Sequence, residues 1–389
     1  MKQGGGRTAD GGRSKASRRS PTQSSVLSPQ SSLFMSEALR LARRGLGRTS
    51  PNPSVGAVVV KGGRIVGRGY TRPVGGPHAE VVALRQAGAR ARAATLYVTL
   101  EPCAHHGQTP PCIDAVRAAG IARVVYGARD PNPKVGGGGA AKLRRTGIAA
   151  TTGVLSRECE ESIRFFRKHV TTGLPWVTLK LAATLDGHIA TAGGDSRWVT
   201  GPAARRVVHQ LRNTHDAVLV GAETVLRDNP SLTARIRGGR DPIRVVLDGR
   251  VRTPTAAKVV RAGTIILTAS GASRSKMERL RRRGATVVEL TGHAGSIAWR
   301  TVLSELGKRG ICSLLVEGGG VVAANALRSG LVDETLLFYA PKLVGGDGRA
   351  MVAALGVRRM AKALPLRVIR SCWLGSDLLV EARPPVRSK

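Results

Sequence analysis

Strand and helix signals alternate along most of this chain, and that rhythm limits the fold more than any other feature. Residues 55–60 form a short apolar, β-branched run, and Gly62-Gly63 turns it into Ile65 and Val66, the pattern of a hairpin. A helix is expected over 78–84, after Gly75-Gly76-Pro77. Strands are then expected at 95–100 and 124–126, with a helix over 112–119 between them. A second series starts near Pro175, with apolar strand candidates at 177–181, 217–220, 243–247, 264–267, 286–288, 313–316, 336–339 and 378–380. Alternation of this kind implies α/β layers.

The chain has 389 residues, which suggests two domains. We divide it into a leader over 1–34, a first domain over 35–173 and a second over 174–389. The boundary falls between Arg167 and Leu174, where Thr171-Thr172-Gly173 interrupts the pattern. The leader is basic and rich in Ser and Gly, and it lacks the apolar core of a secretory signal. It reads as disordered, with Met35 a candidate start. Ser36 is the expected N-cap of the first helix, whose Leu39, Ala42 and Leu46 share one face.

The 62 Lys and Arg outnumber the 25 Asp and Glu, a net charge of +37 that invites a nucleic-acid reading. Two features weaken it. The cations are spread over the whole length, and aromatic residues, the usual stacking platforms for bases, are 3% of the chain. Solvated Arg faces account for most of the charge. No apolar run is long enough to cross a membrane as a helix. Five cysteines, an odd number at low density, argue against a disulfide framework.

His78-Ala79-Glu80, Pro102-Cys103 and Pro111-Cys112 are the most informative residues. One imidazole and two thiolates suit zinc, and three protein ligands leave a fourth position for water. Glu80 would be the acid/base beside that water, not a ligand. His78 and Cys112 are placed at helix starts, and Cys103 at the end of a strand, so the three can converge. A closed structural zinc completed by His105 or His106 is the alternative, and cysteines also serve as small buried hydrophobes. Eight residues separate the cysteines, where the general zinc-deaminase signature has two.

The run Thr99-Leu100-Glu101-Pro102-Cys103-Ala104-His105-His106-Gly107-Gln108-Thr109-Pro110-Pro111-Cys112 resembles the bifunctional deaminase/reductase family of riboflavin biosynthesis, which has this longer spacing. Ser50-Pro51-Asn52-Pro53, Gly76-Pro77-His78-Ala79-Glu80 and Asp130-Pro131-Asn132-Pro133 match too. In the second half so do Leu179-Lys180-Leu181-Ala182, Leu185-Asp186-Gly187 and Val316-Glu317-Gly318-Gly319. Gln108 departs from the family, which has Arg there.

The resemblance implies an N-terminal cytidine-deaminase-like three-layer domain, followed by a C-terminal dihydrofolate-reductase-like α/β domain. Zn2+ on His78, Cys103 and Cys112, with Glu80 moving protons, would deaminate a diaminopyrimidinone ribosylamine phosphate. NADPH in the second domain would then reduce the ribosyl group to ribityl. By the same match Ala182, Trp198, Thr224 and Asp228 would touch the cofactor. Its pyrophosphate would lie on Gly319, Gly320, Val321, Val322, Ala323, Ala324 and Asn325, where a strand, a Gly loop and a helix offer free N–H groups. Ser196, Arg212, Leu232, Arg235 and Glu317 would touch the substrate. Lys180 could be an exposed-face lysine or a cation near the substrate. The implied partner is a small phosphoribosyl pyrimidine, with no nucleic acid or membrane, in a cytoplasmic homo-oligomer. Two readings compete: a zinc deaminase of nucleic-acid bases, and a basic nucleic-acid-binding protein with a structural zinc.

Overall fold

The computed structural model describes residues 28–107, 109–133, 138–293 and 295–385. The first unit is a five-stranded sheet ordered β2-β1-β3-β4-β5. Its strands are β1 (Gly56–Lys61), β2 (Arg64–Tyr70), β3 (Thr95–Leu100), β4 (Arg123–Ala128) and β5 (Ala149–Thr152). Six helices accompany them: α1 (Pro29–Ala42), α2 (Ala79–Ala87), α3 (Cys112–Ala118), α4 (Gly139–Arg145), α5 (Ser156–Ser162) and α6 (Arg164–Thr172). Helices α1 and α5 touch each other on one side of the sheet, and α2, α3 and α4 form a chain of contacts on the other. The three expected layers are present.

Glycines in β2 set the depth of the layer that carries His78 and Glu80. A Cβ on Gly67 would stand 2.2 Å from the Ala83 carbonyl oxygen, and one on Gly69 2.1 Å from that of Ala79. Helix α2 can lie this close to the sheet only because both side chains are missing. The hairpin turn at Gly62-Gly63 has positive φ at both residues, as a tight two-residue connection requires.

The first helix corrects the sequence reading. It starts at Pro29 rather than beyond Ser36, and its N-cap is Ser28, whose hydroxyl accepts from the Ser31 amide at 3.2 Å. Residues 28–34, assigned to the disordered leader, are therefore ordered. Met35 is fully buried in mid-helix with Ala38 and Leu41; of the expected stripe, Ala42 is buried and Leu39 packs against the core, while Leu46 lies beyond the helix end. Phe34 and Tyr97 pack with ring centroids 5.3 Å apart. The rest of the leader, residues 1–27, lies outside the described residues.

The second unit holds a nine-stranded sheet ordered β11-β10-β9-β8-β14-β6-β15-β18-β17. Its strands are β6 (Trp176–Thr184), β8 (Ala217–Gly221), β9 (Ile243–Leu247), β10 (Thr264–Ala269), β11 (Thr286–Leu290), β14 (Ser313–Val316), β15 (Glu334–Ala340), β17 (Arg367–Leu374) and β18 (Asp377–Arg383). Two small ribbons pair β7 (His188–Ala190) with β16 (Arg349–Ala350) and β12 (Gly292–His293) with β13 (Ser296–Ile297). The helices are α7 (Pro202–Thr214), α8 (Ala222–Asp228), α9 (Arg274–Arg282), α10 (Trp299–Lys308) and α11 (Gly320–Arg328). All eight expected strands occur. The ninth, β17, was not foreseen: it is an Arg-bearing edge strand, exposed along most of its length. Strands β11 through β15 in that order run parallel, and β18 and β17 close the edge antiparallel. In such a sheet the crevice beyond the carboxyl ends of the parallel strands is where ligands bind.

Helix α6 joins the two units. Its Lys168 pairs with Asp333, and Phe165 packs on His215 with centroids 5.2 Å apart. Trp176 lies between two guanidiniums, Arg164 at 5.6 Å and Arg383 at 5.2 Å from the ring centroid. Arg383 also bonds Glu161 of α5 at 2.5 Å and Glu334 at 2.9 Å. Gly173, with φ of 72°, ends the helix and releases the chain into β6.

Candidate functional site

Three elements deliver the sulfur and nitrogen donors of the first unit. His78 is the N-cap of α2, Cys112 the first residue of α3, and Cys103 lies in the loop just past β3. His78 Nδ1 stands 3.2 Å from Cys112 Sγ and 3.7 Å from Cys103 Sγ. The Cys112 amide donates to Cys103 Sγ at 3.2 Å, as free N–H groups at a helix start can. His78 Nε2 is 3.4 Å from Thr109 Oγ1, a contact that orients the ring with Nδ1 toward the sulfurs. The three donor atoms lie within 4.8 Å of one another. That is the donor chemistry of a three-ligand zinc site. Neither His105 nor His106 joins the group, which removes support for the closed structural site among the described residues.

Glu80 stands two residues into the same cluster, 4% exposed. Burial first, then the negative charge at Cys103, pushes its carboxyl up to about 7. Cys103 is the thiol that ionises more readily, held down chiefly by its bond with Cys112 and then by His78, while Cys112 is pushed up. A small cavity of about 130 Å³ opens beside these groups. Asn52 from the loop before β1, Asp130 and Asn132 from the loop after β4, and Phe166 from α6 share its walls. Asn52, Asp130 and Asn132 fall in motifs that carried the family resemblance, although no role was read for them. Phe166 carried no sequence signal. Gln108 lies outside the described residues.

The second unit has a cleft of about 540 Å³ at the carboxyl ends of β6, β8 and β14. Of the expected residues, Ala182, Ser196, Thr224, Asp228, Glu317, Gly319, Gly320, Val321 and Val322 line it. Lys180 does too, which places it at the ligand side of β6 rather than on an outer face. Burial lowers its ammonium, and Glu317 offsets part of that effect. Gly319 caps α11, so the first amides of that helix face the cleft. Ala323 and Ala324 are instead fully buried on the core side, and Asn325 is exposed and bonded to Arg328. Trp198 is 62% exposed under Arg205, 4.6 Å from the ring centroid, and does not line the cleft.

Arg212 and Glu317, expected as separate substrate contacts, are joined to each other. Arg212 donates from Nε and Nη2 to the two carboxylate oxygens at 2.7 and 2.8 Å, and to the Thr233 carbonyl at 3.1 Å. Burial works against the Glu317 charge, and Arg212 overrides it, leaving the carboxyl below its usual range. Leu232 is buried and Arg235 exposed, both with left-handed backbone, φ of 55° and 53°. Such strain in non-glycine residues concentrates at functional loops. Sequence reasoning missed Gly221, Glu223, Arg227 and Arg349 on the cleft wall. Arg227 and Arg349 are dispersed among dozens of other Arg residues, and nothing in the sequence singles them out.

Comparison with known proteins agrees with this geometry. Residues 28–128 match the cytidine and deoxycytidylate deaminase zinc-binding region, and residues 175–380 match the RibD C-terminal domain. The riboflavin biosynthesis protein RibD of Aquifex aeolicus is 43% identical over 351 residues, 89% of this chain and 96% of the relative. That of Escherichia coli is 42% identical over 364 residues, covering 90% and 98%. Among solved structures, Acinetobacter baumannii RibD superposes with a TM-score of 0.84 at 37% identity, covering 92% of this chain and 99% of that one. The diaminohydroxyphosphoribosylaminopyrimidine deaminase/5-amino-6-(5-phosphoribosylamino)uracil reductase of Thermotoga maritima does so at 0.81 and 40% identity, covering 91% and 99%. With a zinc-type donor set in one unit and a ligand cleft in the other, the chain belongs to the bifunctional deaminase/reductase family of riboflavin biosynthesis, RibD.

Proposed function

We propose that this chain performs two consecutive steps on one phosphoribosyl pyrimidine. The first site hydrolyses an amino group from 2,5-diamino-6-(5-phosphoribosylamino)pyrimidin-4(3H)-one. The second reduces the ribosyl chain of 5-amino-6-(5-phosphoribosylamino)uracil to ribityl. The observation that carries the reading is the pairing, in one chain, of a His78–Cys103–Cys112 donor set beside buried Glu80 with a Gly-loop cleft around Lys180 and Glu317.

His78, Cys103 and Cys112 would hold a zinc ion, which would supply a Lewis acid able to lower the pKa of water toward neutrality. Glu80 takes the water proton on its carboxylate and passes it to the departing ammonia. Asn52, Asp130 and Asn132, which share the cavity wall, would hold the polar edge of the ring. In the second domain NADPH, when bound, would supply the hydride. The amides at the start of α11 would hold its pyrophosphate, and Ala182, Thr224 and Asp228, which line the cleft, would hold other parts of it. Lys180 and Glu317 face the ribosyl group, with Arg212 acting through Glu317. Division into 35–173 and 174–389 is part of the proposal, with α6 serving both halves.

A coupled assay with the diamino substrate, zinc and NADPH tests the whole reading. Ammonia release should precede NADPH oxidation, and NADPH should raise Tm more than NADH does. Failure of either product to appear would overturn the corresponding half. A cytoplasmic location fits the five free thiols, two of which must stay reduced to bind metal. Assembly with further copies is supported by the edge strand β17, which exposes Val368, Ile369 and Trp373, and light scattering would check it.

A further inference from the structure

The deaminase pocket has one wall that no motif supplies. Phe166 belongs to α6, the helix that docks on the second unit, yet it lines the same cavity as His78, Glu80 and Cys103. Its neighbour Phe165 turns the other way, onto His215 and Trp176. Successive residues on a helix diverge by about 100°, so the pair straddles the joint. Phe166 is half-buried, neither sealed in the core nor fully in solvent.

Most of the other lining residues are polar, and Pro53 joins the apolar ones. Asn52, Asp130, Asn132 and His105 can address the edge of a ring, and Leu100 and Val55 offer small apolar patches. Phe166 is the only benzene ring among the described lining residues. A pyrimidinone has a hydrogen-bonding edge and two π faces, and enzymes that act on such rings hold the faces between aromatic or apolar side chains.

We infer that Phe166 stacks on the pyrimidine of the deaminase substrate and is a specificity-determining contact of the first reaction. The ring is held in place by the domain joint: Lys168, two residues on, is tied to Asp333, and Phe165 is tied to His215. The inference rests on the function proposed above.

The test uses the full-length, zinc-loaded protein. In a Glu80→Gln background, in which turnover is slowed enough to follow binding, calorimetry gives Kd for the diamino substrate with Phe166, Phe166→Leu and Phe166→Tyr. Loss of a base–aromatic stack corresponds to roughly 5- to 100-fold weaker binding. Phe166→Leu should show it, and Phe166→Tyr, which keeps the ring, should recover most of the affinity. With Glu80 intact, Phe166→Leu should raise KM for ammonia release and leave NADPH oxidation on the deaminated substrate unchanged. Unaltered Kd and KM in Phe166→Leu would overturn the inference. So would an equal loss of both activities, since that would mark a structural role. If the unsubstituted protein released no ammonia, the proposed function would fall first and take this contact with it.

Discussion

The two sites of this molecule are built by opposite strategies. The deaminase pocket is small, and its chemistry is concentrated in four residues brought together by two helix starts and a strand end. The reductase cleft is about four times larger by volume, 540 against 130 Å³, and its polar centre is assembled from Lys180, Arg212 and Glu317 on three distant elements. One site depends on donors converging on an ion. The other depends on a balanced set of buried charges around a cavity that a long cofactor can occupy. The difference teaches where each should fail: the first on loss of a single group, the second on loss of charge balance.

The largest effect should come from the first site. Zinc removal by a chelator should abolish ammonia release, and Glu80→Gln should lower it by ~10²- to 10⁴-fold. NADPH oxidation with the deaminated substrate should persist in both cases. If it fell in parallel, the sites would not be independent and the contrast would collapse.

The reductase centre should break through stability as well as activity. Arg212 and Glu317 are 14% and 7% exposed, and Glu317→Leu would leave the guanidinium buried without its counter-charge. The expected cost is about 3–5 kcal/mol, and Arg212→Leu added to it should recover part of that loss. Denaturant titration of the single and double variants decides the point. A double variant no more stable than the single one would show that the pair is not balanced in the way described.

A smaller effect is written into the joint between the sites. Burial, partly offset by the Leu211 carbonyl, depresses His215 from 6.5 to about 4. In the unfolded chain the imidazole protonates near 6.5, so the unfolded state binds more protons below that pH. The contribution is intact above pH 6.5 and is lost as pH falls toward 4, by roughly 3 kcal/mol. His215→Gln should flatten that part of the stability–pH curve; an unchanged curve would exclude His215 as its source. The smallest change expected is at the chain's first helix. Ser28→Ala removes the N-cap and should cost about 1 kcal/mol, measured as a shift in Tm.

Legibility followed the same divide. His78, Glu80, Cys103 and Cys112 could be read from the sequence because local spacing fixes their geometry: each sits at an element boundary marked by Pro or Gly. Most strands of both sheets were legible for a related reason, since a buried parallel strand is a continuous apolar run. Strand β5 (Ala149–Thr152), short and only partly buried, carries no such run and was not expected. Residues 29–34 were not legible as helix, because Ser and Gln carry no apolar stripe and Phe34 and Met35 come only at the end. Strand β17 was hidden by Arg367 and Arg370, which suit an exposed edge rather than a core. The Arg212–Glu317 bond joins positions 105 residues apart, and Phe166 reaches its pocket only because α6 folds back. Such pairings are set by tertiary structure, and no spacing announces them.

The position of the tryptophans has an optical consequence. All four, Trp176, Trp198, Trp299 and Trp373, belong to the second domain: one at the joint, one buried in the core and two exposed. Indole emission therefore reports on the reductase and on the docking of α6, and is blind to the interior of the deaminase. Followed by fluorescence alone, a molecule whose deaminase core had melted while α6 stayed docked would look intact. The tyrosines at 70, 97 and 126, or far-ultraviolet dichroism, are the signals that would reveal it.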